Sequence, residues 1–227
     1  MTARVDAIHV AAHLTQPTSF LDYDHPDVVA YADRMAGHLQ DPVAIAVALY
    51  YAIRDGFRYT PWGVSVQPAA FAASKVAGRS YSQGGHCIDK ALLLAACARY
   101  RGIPARLHFA NVRNHVGTAE LERQLGTDLL VFHGYSELFL QGQWVAATPA
   151  FNRQLCERLG VAALEFDGHS DSIFQAYDRK AGRFMEYVDD HGSFDDLPFE
   201  EMVAAWRLHY PGFAATGRWP QPVPGPT

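Results

Sequence analysis

The sequence holds only three cysteines in 227 residues, Cys87, Cys97 and Cys156. So small and odd a set, without regular spacing, excludes a disulfide framework and suits a reducing compartment. Cys87 and Cys97 cannot pair if one helix carries both, because ten residues of helix rise about 15 Å, beyond disulfide reach. Long apolar runs are also missing: none approaches the ~18 residues that a membrane-spanning helix needs. The opening MTARVDAIHVAAHLTQPTSF lacks the basic and then continuously apolar segments of a secretory leader. The expectation is a soluble, cytoplasmic protein with no membrane partner. Basic clusters are lacking too, with Lys and Arg scattered singly, a net charge of -5 and a pI near 6.1. That leaves no electrostatic footprint for nucleic acid. No G-x-G-x-x-G, P-loop, EF-hand or H-E-x-x-H pattern occurs, and His86-Cys87 has no second ligand at metal spacing. No cofactor and no metal is therefore expected.

What is present is a hydrophobic content of 49 %, ample for a core. One domain is expected over residues 1–227, with residues 218–227 (RWPQPVPGPT) as an extended, proline-rich tail. Helical spacing runs through residues 25–39 and again from Pro42 to Gly56, followed by a loop and a short helix over residues 67–77. From Cys87 to Arg101 the apolar residues cover most of the helix circumference, which predicts a central, buried helix ended by Gly102 and Pro104. The period then shortens to that of strands. Residues 105–112 alternate, residues 114–128 read as a polar excursion with a short helix, and residues 129–140 and 143–148 read as a hairpin turning at Gln141-Gly142. A short helix near residues 152–159, a strand near 184–188 and a helix over 199–209 complete the expected order.

The stretch SYSQGGHCIDKALLLAACARYRGIPAR places Cys87 between a glycine-rich turn and the buried helix. At a helix N-terminus a thiol meets the positive end of the dipole and free N–H groups, which favour the thiolate and an oxyanion beside it. Gly85-His86-Cys87, the following LLLAACARYRGIPAR, His133 in HGYSELFLQGQW and the segment WVAATPAFN together resemble the core of the transglutaminase-like superfamily over residues 71–152. The resemblance implies an α+β, papain-like fold: N-terminal helices and a central buried helix packed on an antiparallel β-sheet. It also implies a Cys-His-Asp triad, with Cys87 as nucleophile and His133 as general base.

At the third position this chain departs from the family. The place of the aspartate, just before a proline, is held by Thr148 in Ala147-Thr148-Pro149. A threonine hydroxyl can fix an imidazole tautomer but cannot balance an imidazolium with full charge. Asn152, or a more distant Asp167 or Asp171, could orient His133 instead, and Gln83 could add a donor to the oxyanion site. Cys97 and Cys156 are expected to pack as small hydrophobes, and Glu137 to act as a structural hydrogen-bond partner. Arg113, Asn114 and His115 are expected either to stabilise a loop or to hold a substrate carboxylate or amide. The pairs Asp189-Asp190, Asp195-Asp196 and Glu200-Glu201 are expected to be solvated.

Two functions follow. One is a thiol enzyme that forms an acyl-enzyme from a peptide, amide or small acyl substrate and passes it to water or an amine. The other is a weakly active or inactive transglutaminase-like binding or scaffold protein, because Thr148 replaces the acid. The oligomeric state is not encoded in any recognisable pattern.

Overall fold

The computed structural model describes residues 13–116, 119–174, 177–178 and 182–222. The opening stretch through residue 12 and the last part of the proline-rich tail lie outside the described residues. Two helices come first, each opened by proline at its start: α1 (Pro26–Ala36) and α2 (Pro42–Gly56). The Asp41 carboxylate accepts the Ala44 N–H at 2.8 Å and so caps α2. The expected helix over residues 67–77 is split into a 3₁₀ turn, Pro68–Ala70, and α3 (Ala73–Ala77).

The central element is α4 (Cys87–Tyr100), in which every residue from Ile88 to Arg99 is buried. Leu92, Leu93 and Leu94 are fully buried, and each such side chain stabilises the fold by about 1.5–3 kcal/mol. Two of its buried residues are cationic and tie the layers together. Lys90 donates to the Arg54 carbonyl at 2.9 Å and the Ala150 carbonyl at 2.8 Å. Arg99 donates to the Ala105, Gln16 and Asp195 carbonyls.

After α4 come β1 (Ala105–Asn114), α5 (Ala119–Leu125), β2 (Leu129–Leu140) and β3 (Gln143–Ala147). The β2–β3 turn falls at Gln141-Gly142, where φ is 50° and 88°. Positive φ at both central residues is what a tight hairpin needs. Next are α6 (Arg153–Leu159), the short pair β4 (Tyr177–Asp178) and β5 (Gly182–Arg183), β6 (Met185–Phe194), α7 (Phe199–His209) and α8 (Pro211–Thr216). The main sheet has the order β3-β2-β1-β6 and is antiparallel throughout.

Leu138, Leu140, Val145 and Ala147 join the core cluster built on α4. Tyr135, Glu137 and His133 occupy the alternate positions of β2, so the strand's period of two separates the two faces. A smaller apolar cluster, with Phe151, Phe174 and Phe184, packs against Ala110 and Val112. Cys97 and Cys156 are buried as free thiols within these two clusters.

Candidate active site

Cys87 is the first residue of α4, and the turn before it is locked by a network of side chains. His86 caps the helix: its Nδ1 accepts the Ile88 N–H at 3.2 Å and that of Asp89 at 3.5 Å. Asp89 reaches back to the His86 N–H at 3.2 Å, which completes a capping box. Arg79 then holds Asp89 at 2.6 Å. The cap therefore uses two of the N–H groups expected to be free. The backbone N–H groups of Gly134, Ile88 and Cys87 itself favour the thiolate form of the Cys87 sulfur.

Gly134 sits where there is little room for a side chain. A Cβ there would meet Phe109 Cε1 at 2.9 Å and Ile88 Cγ1 at 3.3 Å, so any side chain would force the Phe109 ring and, less, Ile88 to shift. His133 precedes it, and its placement depends on a bulge. The β1–β2 register shifts between the pairs Ala110–His133 and Val112–Leu130, leaving an extra residue on β2. Phe132 takes up the slack with φ of 59°, a left-handed conformation that costs a bulky residue about 1–2 kcal/mol. Buried Asn111 supports it: Asn111 Oδ1 accepts the Phe132 N–H at 3.1 Å and His191 Nε2–H at 2.8 Å. Because that oxygen can only accept, His191 must carry its proton on Nε2. The His191 ring stacks on Phe132 at 4.3 Å, and Asn111 Nδ2 donates to Asp189 at 3.2 Å.

Asn111→Ala would strip the buried Phe132 N–H of its partner. It is expected to destabilise the fold by about 2 kcal/mol, measured by urea unfolding. A change below about 0.5 kcal/mol would show that the bulge holds itself.

Cys87, half-buried, and His133 line one narrow cavity of about 50 Å³ together with Tyr59, Val64, Leu125 and Trp219. Burial dominates the electrostatics. It pushes the Cys87 thiol up to about 11, although the three N–H groups pull the other way. Burial alone brings His133 down to about 4. The lowered thiol pKa expected from the helix terminus is thus reversed in the resting structure, where both groups are neutral at pH 7.

None of the remaining candidates makes a hydrogen bond to the His133 ring. His133 Nε2 and Thr148 Oγ1 are both buried without a hydrogen-bond partner, so Thr148 does not hold the imidazole. Asn152 is engaged elsewhere: its Oδ1 accepts the Tyr59 N–H at 2.9 Å and its Nδ2 donates to Tyr81. Asp167 accepts the N–H groups of His169 and Ser170, and Asp171 accepts that of Ala146. Gln83 folds back on its own turn, where its Oε1 accepts the Ser80 N–H at 2.7 Å. Glu137 is a structural partner of Arg106 and Ser193, each at 2.6 Å. Arg113 pairs with Asp128, His115 with Glu186, and the Asn114 side chain accepts the Val116 N–H. Asp189 and Asp190 are not merely solvated, since they bond Asn111 and His108. Sequence reasoning missed Asn111, His191 and Phe132, since no glycine or asparagine marks the left-handed position.

Among the described residues no group of three or more His, Cys, Asp or Glu could hold a metal ion, and no helix is long and apolar enough to cross a membrane.

A cysteine opening a buried helix, packed across an antiparallel sheet that carries a histidine, defines an α+β fold of the papain-like kind. Residues 29–149 match the family model described as the transglutaminase-like superfamily, and the chain belongs to that superfamily. Among solved structures, a candidate cysteine protease from Cytophaga hutchinsonii is similar at 16% identity and a TM-score of 0.49. The match covers 83% of this chain and 48% of that one, so the present chain spans about half its length. No curated protein matches.

Proposed function

We propose that the protein is a thiol-dependent acyl-transfer or amide-hydrolysing enzyme acting through Cys87 and His133. The observation that carries this reading is the shared cavity: a cysteine at a helix N-terminus and a buried histidine, whose Nε2 has no hydrogen-bond partner, both line the same narrow space. In the proposed cycle His133 takes the proton of the Cys87 thiol, and the thiolate attacks the carbonyl carbon of a peptide, amide or small acyl substrate. The carbonyl electrons move onto oxygen, which the Cys87 N–H stabilises. As the intermediate collapses, the C–N bond breaks and His133 gives its proton to the departing amine. Water or a second amine, deprotonated by His133, then attacks the thioester and releases the Cys87 thiolate, which recovers its proton. Thr148 stands where the family places its acid, so imidazolium forms without a carboxylate beside it.

The test is acylation by p-nitrophenyl acetate, followed by intact mass and peptide mapping. An acetyl group on Cys87 that disappears with time, is absent in Cys87→Ala and forms about 10²–10⁴-fold more slowly in His133→Ala is the expected result. A protein that never acquires acetyl at Cys87 would be a binding or scaffold member of the superfamily instead.

A further inference from the structure

The cavity at Cys87 is walled by Trp219, which comes from a segment far along the chain. After α8 the chain turns at Gly217 and runs without regular secondary structure through residues 218–222. Its path crosses between two lips of the cavity, the loop carrying Pro61 and Val64 on one side and α5, with Leu121 and Leu125, on the other.

Both lips grip its main chain. The Gly63 N–H donates to the Pro220 carbonyl at 3.0 Å. Opposite, the Gln124 side chain reads both groups of one residue: its Oε1 accepts the Gln221 N–H at 3.2 Å and its Nε2 donates to the Gln221 carbonyl at 2.9 Å. Between these grips the Trp219 indole enters an aromatic nest, 4.5 Å from Trp206, 5.8 Å from Tyr210 and 6.1 Å from Phe213. Its Nε1–H donates to the Pro61 carbonyl at 2.7 Å. Main-chain pairing with the lips, one anchored aromatic side chain and prolines that keep the segment extended are the ingredients of peptide recognition.

We infer that the groove between residues 61–64 and α5 is a binding site for an extended peptide carrying a bulky aromatic residue, and that residues 218–222 occupy it as a built-in competitor. The substrate class that follows, a peptide presenting an aromatic side chain to the Trp206–Tyr210 nest, rests on the acyl-transfer reading above. The groove itself rests on the observed occupant. Release of the strap opens the space over Cys87.

The experiment measures carbamidomethylation of Cys87 by iodoacetamide at pH 7.5 in the full chain, with the site mapped by mass spectrometry. Trp219→Ala is expected to raise the rate tenfold or more and Gln124→Ala about threefold. The peptide acetyl-RWPQP-amide, which spans residues 218–222, should return the Trp219→Ala rate to within twofold of wild type and leave wild type unchanged. Circular dichroism checks folding; Gln124→Ala, a change to a better helix former at a half-buried position of α5, decides the matter if Trp219→Ala unfolds. Rates within twofold of wild type in the folded variants, or no protection by millimolar peptide, overturn the proposal. An opened variant that alkylates quickly yet takes no acetyl group from p-nitrophenyl acetate would leave the groove standing and remove the acyl-transfer reading.

Discussion

Thr148→Asp is expected to accelerate acetylation of Cys87 by p-nitrophenyl acetate about a hundredfold at pH 7. Continuing the β2–β3 register past its last pair, Ser136 with Ala147, sets position 148 opposite Tyr135 and diagonal to His133. A carboxylate within about 4–6 Å of an imidazole raises its pKa by about 1–3 units. His133 now stands near 4, held down by burial with no charge to oppose it. Raising it toward neutrality lets the imidazole keep the thiol proton and brings the Cys87 thiolate within reach at pH 7. The hydroxyl being replaced has no partner of its own to lose. Thr148→Asn, similar in shape and uncharged, is the control and should gain little. Equal rates in the two variants would mean that the missing charge does not limit the reaction. A histidine titration by NMR, shifted upward only in Thr148→Asp, would tie any gain to its cause.

The second large effect concerns stability. Lys90 is fully buried, and its amine donates to two carbonyls. A neutral amine has two N–H groups, one for each acceptor; an ammonium has a third with nowhere to go. Burial accordingly lowers its pKa from 10.5 to about 7. The sign follows from linkage. The unfolded chain binds the proton over the window between these values and the fold does not, so stability rises with pH there. This contribution is fully present above about 10.5 and falls away as pH drops to about 7. Between pH 7 and pH 9.5 the gain is on the order of 3 kcal/mol. Lys90→Met removes both donors, strands the Arg54 and Ala150 carbonyls, and is expected to destabilise the fold by about 2–5 kcal/mol at pH 9.5. Urea unfolding at several pH values measures both effects. A wild-type stability that does not climb relative to Lys90→Met would show that the amine is charged in the fold.

The sequence makes the spine of this molecule readable because its signals are local. The stretch LLLAACARYRG is apolar on all sides and ends in Gly102, and it forms the fully buried α4. Gln141-Gly142 marks a turn, and the two residues take the left-handed conformations that a hairpin demands. Strand β6 runs further than its apolar residues indicate, to Phe194, because its second half is polar and lies at the sheet edge. Helix α8, PGFAAT, is too short to show a period.

At the site, Cys87 and His133 stand out through the motif around them, and both line one cavity. The partners suggested for His133 are bonded elsewhere, for a reason that no spacing rule contains. Asn152 and Asp171 have the right chemistry, but nearby backbone N–H groups of Tyr59 and Ala146 claim them first. The bulge at Phe132 is equally silent, since Asn111 and His191 hold a conformation that the phenylalanine would not choose.

Cys87 packs against both apolar clusters, the large one around α4 and the smaller one around Phe151 and Phe174. The sulfur is thus a keystone between two separately packed bodies. Repacking in either of them therefore bears on the setting of Cys87.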